Sequence, residues 1–162
     1  AGISVRAAIT GHLVLSTLHT NDAVSSIARL ADMGIDHYLI ANSLVGLVAQ
    51  RLMRKVCPHC GREVAVTPQE QALLGKDITT IRRGTGCTHC NGTGYRGRIA
   101  VHEIVTIDRN IRRMISRGAE TEEIEAYARE QQGMRSLKEK GLELVKQGVT
   151  TPEELLRIAY YA

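Results

Sequence analysis

The sequence predicts an α/β protein in three successive stretches, and three observations carry that expectation. The apolar run HLVLSTL at residues 12–18 shows little alternation and leads directly into helical periodicity, as does a strand buried on both faces of a parallel sheet with its following helix. Four cysteines gather in two close pairs within a glycine-dense stretch at 57–97. Beyond residue 98, one strand is followed by a series of capped helices. The expected boundaries are an α/β unit over 1–56, a cysteine module over 57–97 and a mainly helical subdomain over 98–162.

Each element has its own signal. After the strand, Asn21 is a suitable N-cap, Asp22 puts negative charge in the first turn, Val24, Ile27, Ala28 and Ala31 recur at helical spacing, and Gly34 is placed as a C-cap. Asp36 caps a second helix expected to run through Leu39, Ile40, Leu44, Val45, Leu47, Val48 and Leu52, almost without a polar face and ending in Arg51, Arg54 and Lys55. In the cysteine module, Pro68–Leu74 suits a short helix, and Gly84–Gly97 holds too many glycines for anything but turn. Ile99, Val101, Ile104 and Val105 suggest a strand. Asp108 then caps a helix that buries Ile111, Met114 and Ile115 and ends at Gly118. Three further helices are expected at 121–131, at 136–147 with a Ser136 and Glu139 capping box, and from Thr151 to the end, where Thr151, Pro152 and Glu154 supply N-cap, N1 proline and N3 carboxylate.

Composition bounds the function. With 43% apolar and 23% charged residues in 162, the chain is neither disordered nor collagen-like. The formal charge of +4 permits an anionic partner without demanding one. Apolar stretches such as Leu44–Ala49 fall far short of the roughly 20 residues of a membrane-spanning helix. The opening AGISVRAAITGHLV has neither an initiator Met nor the build of a signal peptide, so the chain reads as a piece excised from a longer one. Four cysteines are too few for a disulfide-stapled scaffold of this length, which suggests a reducing compartment.

Cys57, Cys60, Cys87 and Cys90 form C-x2-C-x26-C-x2-C. Two intervening residues let both thiolates of a pair reach one ion from a tight turn, and Gly61, Gly92 and Gly94 relieve crowding around the sulfurs. Tetrahedral zinc is the natural occupant, and four thiolates leave no open position for water, so the site is expected to be structural. His59 and His89 lie between the ligands and compete poorly with Cys. The spacer is long for a zinc ribbon, and redox dithiols or an iron-sulfur centre stay open. CTHCNGTG also matches the zinc-binding unit of J-domain cochaperones, though only once.

Phosphate chemistry is incomplete. Gly75 and Lys76 are followed by Asp77, with Glu70 where a Walker A loop needs its first glycine. Ile99–Glu103 is a poor Walker B candidate and reads as an ordinary strand. Ser16, Thr17, His19, Thr20 and Asn21 cluster at the carboxyl end of the expected strand, where ligands of open α/β sheets bind. His12 opens that strand and His19 closes it, about 20 Å apart if fully extended. On spacing alone, ordinary hydrogen bonding or exposure remains the plainer role for either.

TGHLVLSTLHTNDA at 10–23 resembles the histidine box of the secretion ATPases that drive type II secretion and type IV pilus assembly. AQRLMRKVCPHCG at 49–61 is similar to the segment entering their tetracysteine site, and GCTHCNGTGYRGRIAVHEI at 86–104, GMRSL at 133–137 and GVTTPEELLRI at 148–158 continue the match in order. The resemblance implies the C-terminal part of a RecA-like parallel-sheet domain, carrying the histidine box and structural zinc but not Walker A or Walker B. It implies that ATP and Mg are bound only by the full-length parent and that this chain alone is inactive. It also implies His19, and less directly His12, near the terminal phosphate or catalytic water, with Thr20 and Asn21 capping the next helix. The implied partners are the other protomers of a homohexameric ring and inner-membrane platform proteins, in the cytoplasm at the membrane's inner face. The tetracysteine site points to secretion or assembly in place of retraction.

A nucleic-acid-binding zinc module is the rival reading, motivated by Arg51, Arg54, Lys55, Arg62, Arg82, Arg83, Arg96 and Arg98 around the ligands. The absence of Phe and Trp leaves little to stack bases on, so no nucleic acid is expected. A chaperone-like zinc module is the other alternative.

Overall fold

A computed structural model describes residues 1–159 as a mixed α/β fold that divides into two compact units. One comprises Ala1–Ala49 and Glu103–Arg135, the other Gln50–His102 and the chain from Ser136 on. Two long strands, β1 (Gly46–Val56) and β4 (Tyr95–Thr106), pair with each other.

The first unit holds α1 (Gly2–Ile9), α2 (Ser25–Asp32), α3 (His37–Ser43), α5 (Arg109–Ser116) and α6 (Thr121–Gln132). Val24, Ile27, Ile40, Val105, Ile111, Ile115 and Ile124 form its core. The expected caps hold at α3 and α5. The Asp36 carboxylate accepts from the Tyr38 N–H at 2.8 Å, and Asp108 accepts from the Asn110 and Ile111 N–H groups at 2.9 Å each. Burial would raise the Asp108 carboxyl, but these bonds with those from Gln132 and Tyr127 hold it below its ordinary value.

Three expectations for this unit change. Residues 12–18 form no strand: Leu13 and Leu15 are 85% and 88% exposed, and no described strand pairs with them. An apolar run becomes a buried strand only where neighbours take up its backbone groups. Helix α2 starts at Ser25, later than the expected cap at Asn21, because the Asp22 carboxylate binds the Ser25 N–H at 2.7 Å and hydroxyl at 2.5 Å and closes a turn before the helix. The long helix expected from Asp36 to Leu52 stops at Ser43, and Leu44 is already extended at φ −80°, ψ 137°. Gly46 would cost about 1 kcal/mol inside a helix and β-branched Val45 and Val48 favour strand. Burial accordingly alternates, with Leu47 and Ala49 inside and Val48 and Gln50 outside.

In the second unit, β2 (Gly61–Ala65) and β3 (Thr80–Gly84) form an antiparallel hairpin with Gly61 opposite Gly84 and Ala65 opposite Thr80. Helix α4 (Pro68–Leu74) lies between them and opens with a Thr67–Glu70 capping box. Helices α7 (Leu137–Lys146) and α8 (Pro152–Ala159) pack together, α7 with the expected Ser136–Glu139 box. A side chain at Gly141 would meet Ile158, Leu155 and Met53 within 2.8–3.4 Å, so a bare backbone is what lets these elements approach. The part of the expected last helix beyond Ala159 lies outside the described residues.

The carboxylate expected to complete the α8 cap is drawn elsewhere. Glu154, 3% exposed, accepts from the Arg54 N–H at 2.8 Å, from Arg54 Nε and Nη2 at 2.9 and 2.7 Å, and from Arg157 Nη1 at 3.1 Å. The Arg54 guanidinium lies 4.1 Å over the Tyr95 ring, whose hydroxyl is 2.8 Å from that of Thr151. A buried carboxylate needs several donors, and Arg54 brings three where a cap offers one. Burial would raise the Glu154 carboxyl, but the Arg54 and Arg157 donors hold it below its ordinary value.

Two outcomes follow from this packing. Glu154→Ala is expected to cost about 2–3 kcal/mol in urea unfolding. The lowered carboxyl makes the Glu154 contribution complete above about pH 4.5 and lost as the pH falls through the folded-state value, so Glu154→Gln should flatten that part of the acid profile. An acid profile unchanged in that variant contradicts the assignment. Gly94→Ala combines a backbone at φ +76° with a Cβ 2.6 Å from the Gly84 carbonyl oxygen. It should lower stability by at least about 2 kcal/mol, seen as a Tm lowered by roughly 4–8 °C.

Candidate metal centre and histidine segment

Two backbone turns bring the four sulfurs together. In the first, the Cys57 carbonyl accepts from the Gly61 N–H at 2.9 Å; in the second, the Cys87 carbonyl accepts from the Gly92 N–H at 2.9 Å. The Cys57 N–H donates to the Gly94 carbonyl at 2.9 Å and the Thr85 N–H to that of Cys60 at 3.1 Å, which ties the turns to one another. Asn91, at φ 51°, takes the left-handed conformation that Asn tolerates and lets the chain reverse after Cys90.

All four Sγ atoms lie within 4.8 Å of one another. The separations are 3.9 Å for Cys57–Cys87, 3.8 Å for Cys60–Cys90 and 3.7 Å for Cys87–Cys90. A disulfide would need about 2.05 Å, so the cysteines are free thiols. A tetrahedral ion with metal–sulfur bonds of about 2.3 Å sets its ligand sulfurs about 3.8 Å apart, so the cluster has the dimensions of an S4 metal site.

The surroundings favour thiolate at Cys90 and the neutral thiol at Cys60. Cys57 is fully buried, Cys60 and Cys90 are nearly so, and the Cys90 Sγ accepts from the Cys87 and Gly94 N–H groups at 3.2 Å each. Burial pushes the Cys60 thiol up to about 11. At Cys90 burial acts the same way but is outweighed by the Cys87 and Gly94 N–H groups and the neighbouring thiols, which bring it down to about 6. His59 and His89 are exposed, and their rings stack at 4.0 Å with 19° between planes, an arrangement that does not chelate an ion between them.

The histidine segment belongs to the first unit. The His12 ring, just past α1, has Nδ1 3.2 Å from the Thr10 hydroxyl. His19 is exposed and directly precedes a closed turn in which the Thr20 hydroxyl donates to the Asp22 carbonyl at 3.0 Å and lies 3.1 Å from the Ser26 hydroxyl. The Ala23 N–H of that turn donates to Glu103 Oε1 at 2.8 Å, and Glu103 is 4% exposed.

Sequence reasoning missed this contact, and the Arg54–Glu154–Tyr95 group with it. For Glu103 a signal existed: a lone acid among β-branched residues in a strand that buries Val101 and Val105. For Arg54, the misplaced helix hid that its side chain leaves a strand.

The type II/IV secretion system protein family matches residues 1–157. The chain is 45% identical over 161 residues to the type IV pilus assembly ATPase PilB of Thermus thermophilus, covering 96% of this chain and 18% of that protein. It is 44% identical over 161 residues to the type II secretion system protein E of Pseudomonas aeruginosa, covering 98% and 32%. It thus spans between about a fifth and a third of the length of these relatives. Among solved structures, the pilus retraction motor PilT with bound ADP shares the fold at a TM-score of 0.62 and 21% identity, over 97% of this chain and 35% of that one. The chain therefore belongs to the type II/IV secretion system protein family.

Proposed function

We propose that this chain is the C-terminal part of a hexameric ATP-hydrolysing motor for type II protein secretion or type IV pilus assembly, contributing a histidine box and a structural zinc centre. The observation that carries this reading is the family match over residues 1–157, with the histidine segment and both cysteine pairs in one continuous stretch. The nucleotide-gripping Walker motifs belong to the remainder of such a motor. The exposed HLVLSTL segment, which forms no strand in this structure, would on this reading become one against sheet neighbours from that remainder. Leu13 and Leu15, now in solvent, gain about 1.5–3 kcal/mol each on burial there.

His19 is proposed to donate a hydrogen bond to the terminal phosphate or order the attacking water, with His12 as a second candidate. Loss of that bond on hydrolysis biases a two-state arrangement of the motor, which is how chemistry becomes movement. ATP and Mg are bound by the full-length motor. Its partners are the other protomers of the ring and platform proteins of the inner membrane, with the motor in the cytoplasm. Among the described residues, no helix is long and apolar enough to cross a membrane.

Cys57, Cys60, Cys87 and Cys90 would hold the zinc, which supplies folding energy and no open position for catalysis. Elemental analysis should find about one zinc per chain, with four thiols unreactive until chelation. Metal-free protein with paired disulfides would reject the zinc assignment. In the full-length motor, His19→Ala should lower ATP turnover about a hundredfold with zinc content intact. Unchanged turnover, or brisk ATP hydrolysis by the isolated 162-residue chain, contradicts the functional reading.

A further inference from the structure

The turn after His19 is anchored from a strand 80 residues away. Glu103 lies in β4 between buried Val101 and Val105, a place where an apolar side chain would cost nothing to desolvate. A carboxylate there is expensive unless donors meet it. One donor is the Ala23 N–H at 2.8 Å, two residues ahead of α2, where the positive end of the helix dipole also favours negative charge. Around it the turn closes on itself through Asp22 to Ser25 at 2.7 Å, Thr20 to the Asp22 carbonyl at 3.0 Å, and Thr20 with Ser26 at 3.1 Å. These local bonds set the internal shape of the turn, and the Glu103 contact fixes that shape to the strand.

We propose that Glu103 is a positioning residue for His19, holding the 20–26 turn on β4 through the Ala23 N–H so that the imidazole is presented from a fixed base. The proposal rests on the reading of His19 as the group facing the terminal phosphate. His19 adjoins Thr20 but is itself exposed, so the path of its backbone comes from the turn and not from packing of its ring. A displacement of about 1 Å in a catalytic group costs on the order of a hundredfold in rate. Glu103 thereby governs turnover through the turn that carries His19.

Two measurements test it. In the 162-residue chain, Glu103→Ala should raise hydrogen exchange at the Ala23 amide by about tenfold or more and shift the His19 ring-proton resonances. Glu103→Gln, which keeps an oxygen acceptor, should stay close to the parent in both. In the full-length motor, Glu103→Ala should lower kcat by about ten- to a hundredfold with KM for ATP and metal content nearly unchanged, and Glu103→Gln should restore most of it. If Glu103→Ala does not fold, Glu103→Asp, one methylene too short for the contact, takes its place in both measurements with the same expected direction. Unchanged Ala23 exchange, or faster exchange with unmoved His19 resonances, overturns the proposal, as does a Gln variant that behaves like Ala. Turnover unaffected by His19→Ala overturns the underlying reading and the proposal with it. A defective His19→Ala beside a fully active Glu103→Ala overturns the proposal alone.

Discussion

Four sulfur atoms crowded within 4.8 Å impose the strictest condition on this chain. As thiolates they would repel one another, so that state needs backbone donors or a bound cation to offset the charge. The residues around them serve that condition. N–H groups of Cys87 and Gly94 point at the Cys90 sulfur, and the Thr93 hydroxyl donates to the Cys90 carbonyl at 2.6 Å. Gly84 and Gly94 approach so closely that a methyl group on Gly84 would lie 2.0 Å from the Gly94 oxygen. The hairpin then begins at Gly61 and ends at Gly84, each within a few residues of one of the four cysteines.

Outside the cluster, two buried glutamates perform the same physical task. Glu103 takes the Ala23 N–H and Glu154 takes the Arg54 N–H, in each case joining segments 80 or 100 residues apart in sequence. A carboxylate accepts several hydrogen bonds at once and loses much if its donors move away, so it enforces position more strictly than an apolar contact does. Glu154 adds a guanidinium to its donors and Glu103 uses the dipole of a helix start.

What could be read in the sequence was whatever depends on local rules. The paired cysteine spacing, the Asp108 cap, the Ser136–Glu139 and Pro68 helix starts and the strand around Ile99–Val105 all follow from neighbours within four residues, whereas Tyr95–Gly97, expected as turn, already belongs to β4. What failed depends on distant partners. HLVLSTL has strand composition but no described neighbour, and the run after Ser43 is equally apolar as helix or strand until Gly46 and the inward Leu47 and Ala49 are weighed. Glu154 fits a capping box by position, yet Arg54 draws it away, with Nε and Nη2 on Oε1 and the backbone N–H on Oε2. The roles proposed for His12 and His19 rest on family resemblance, because their spacing carries no chemistry by itself.

The hairpin also separates two lengths that the cysteine pattern runs together. Gly61 and Gly84 face each other beside the sulfurs, whereas the exposed Gly75–Asp77 bend sits at the far end, past α4. Extra residues grafted there add only a loop-closure cost that grows logarithmically with length. The bend is therefore a natural port for a spectroscopic label or an affinity epitope, and tetracysteine sequences with quite different spacers can enclose the same cage.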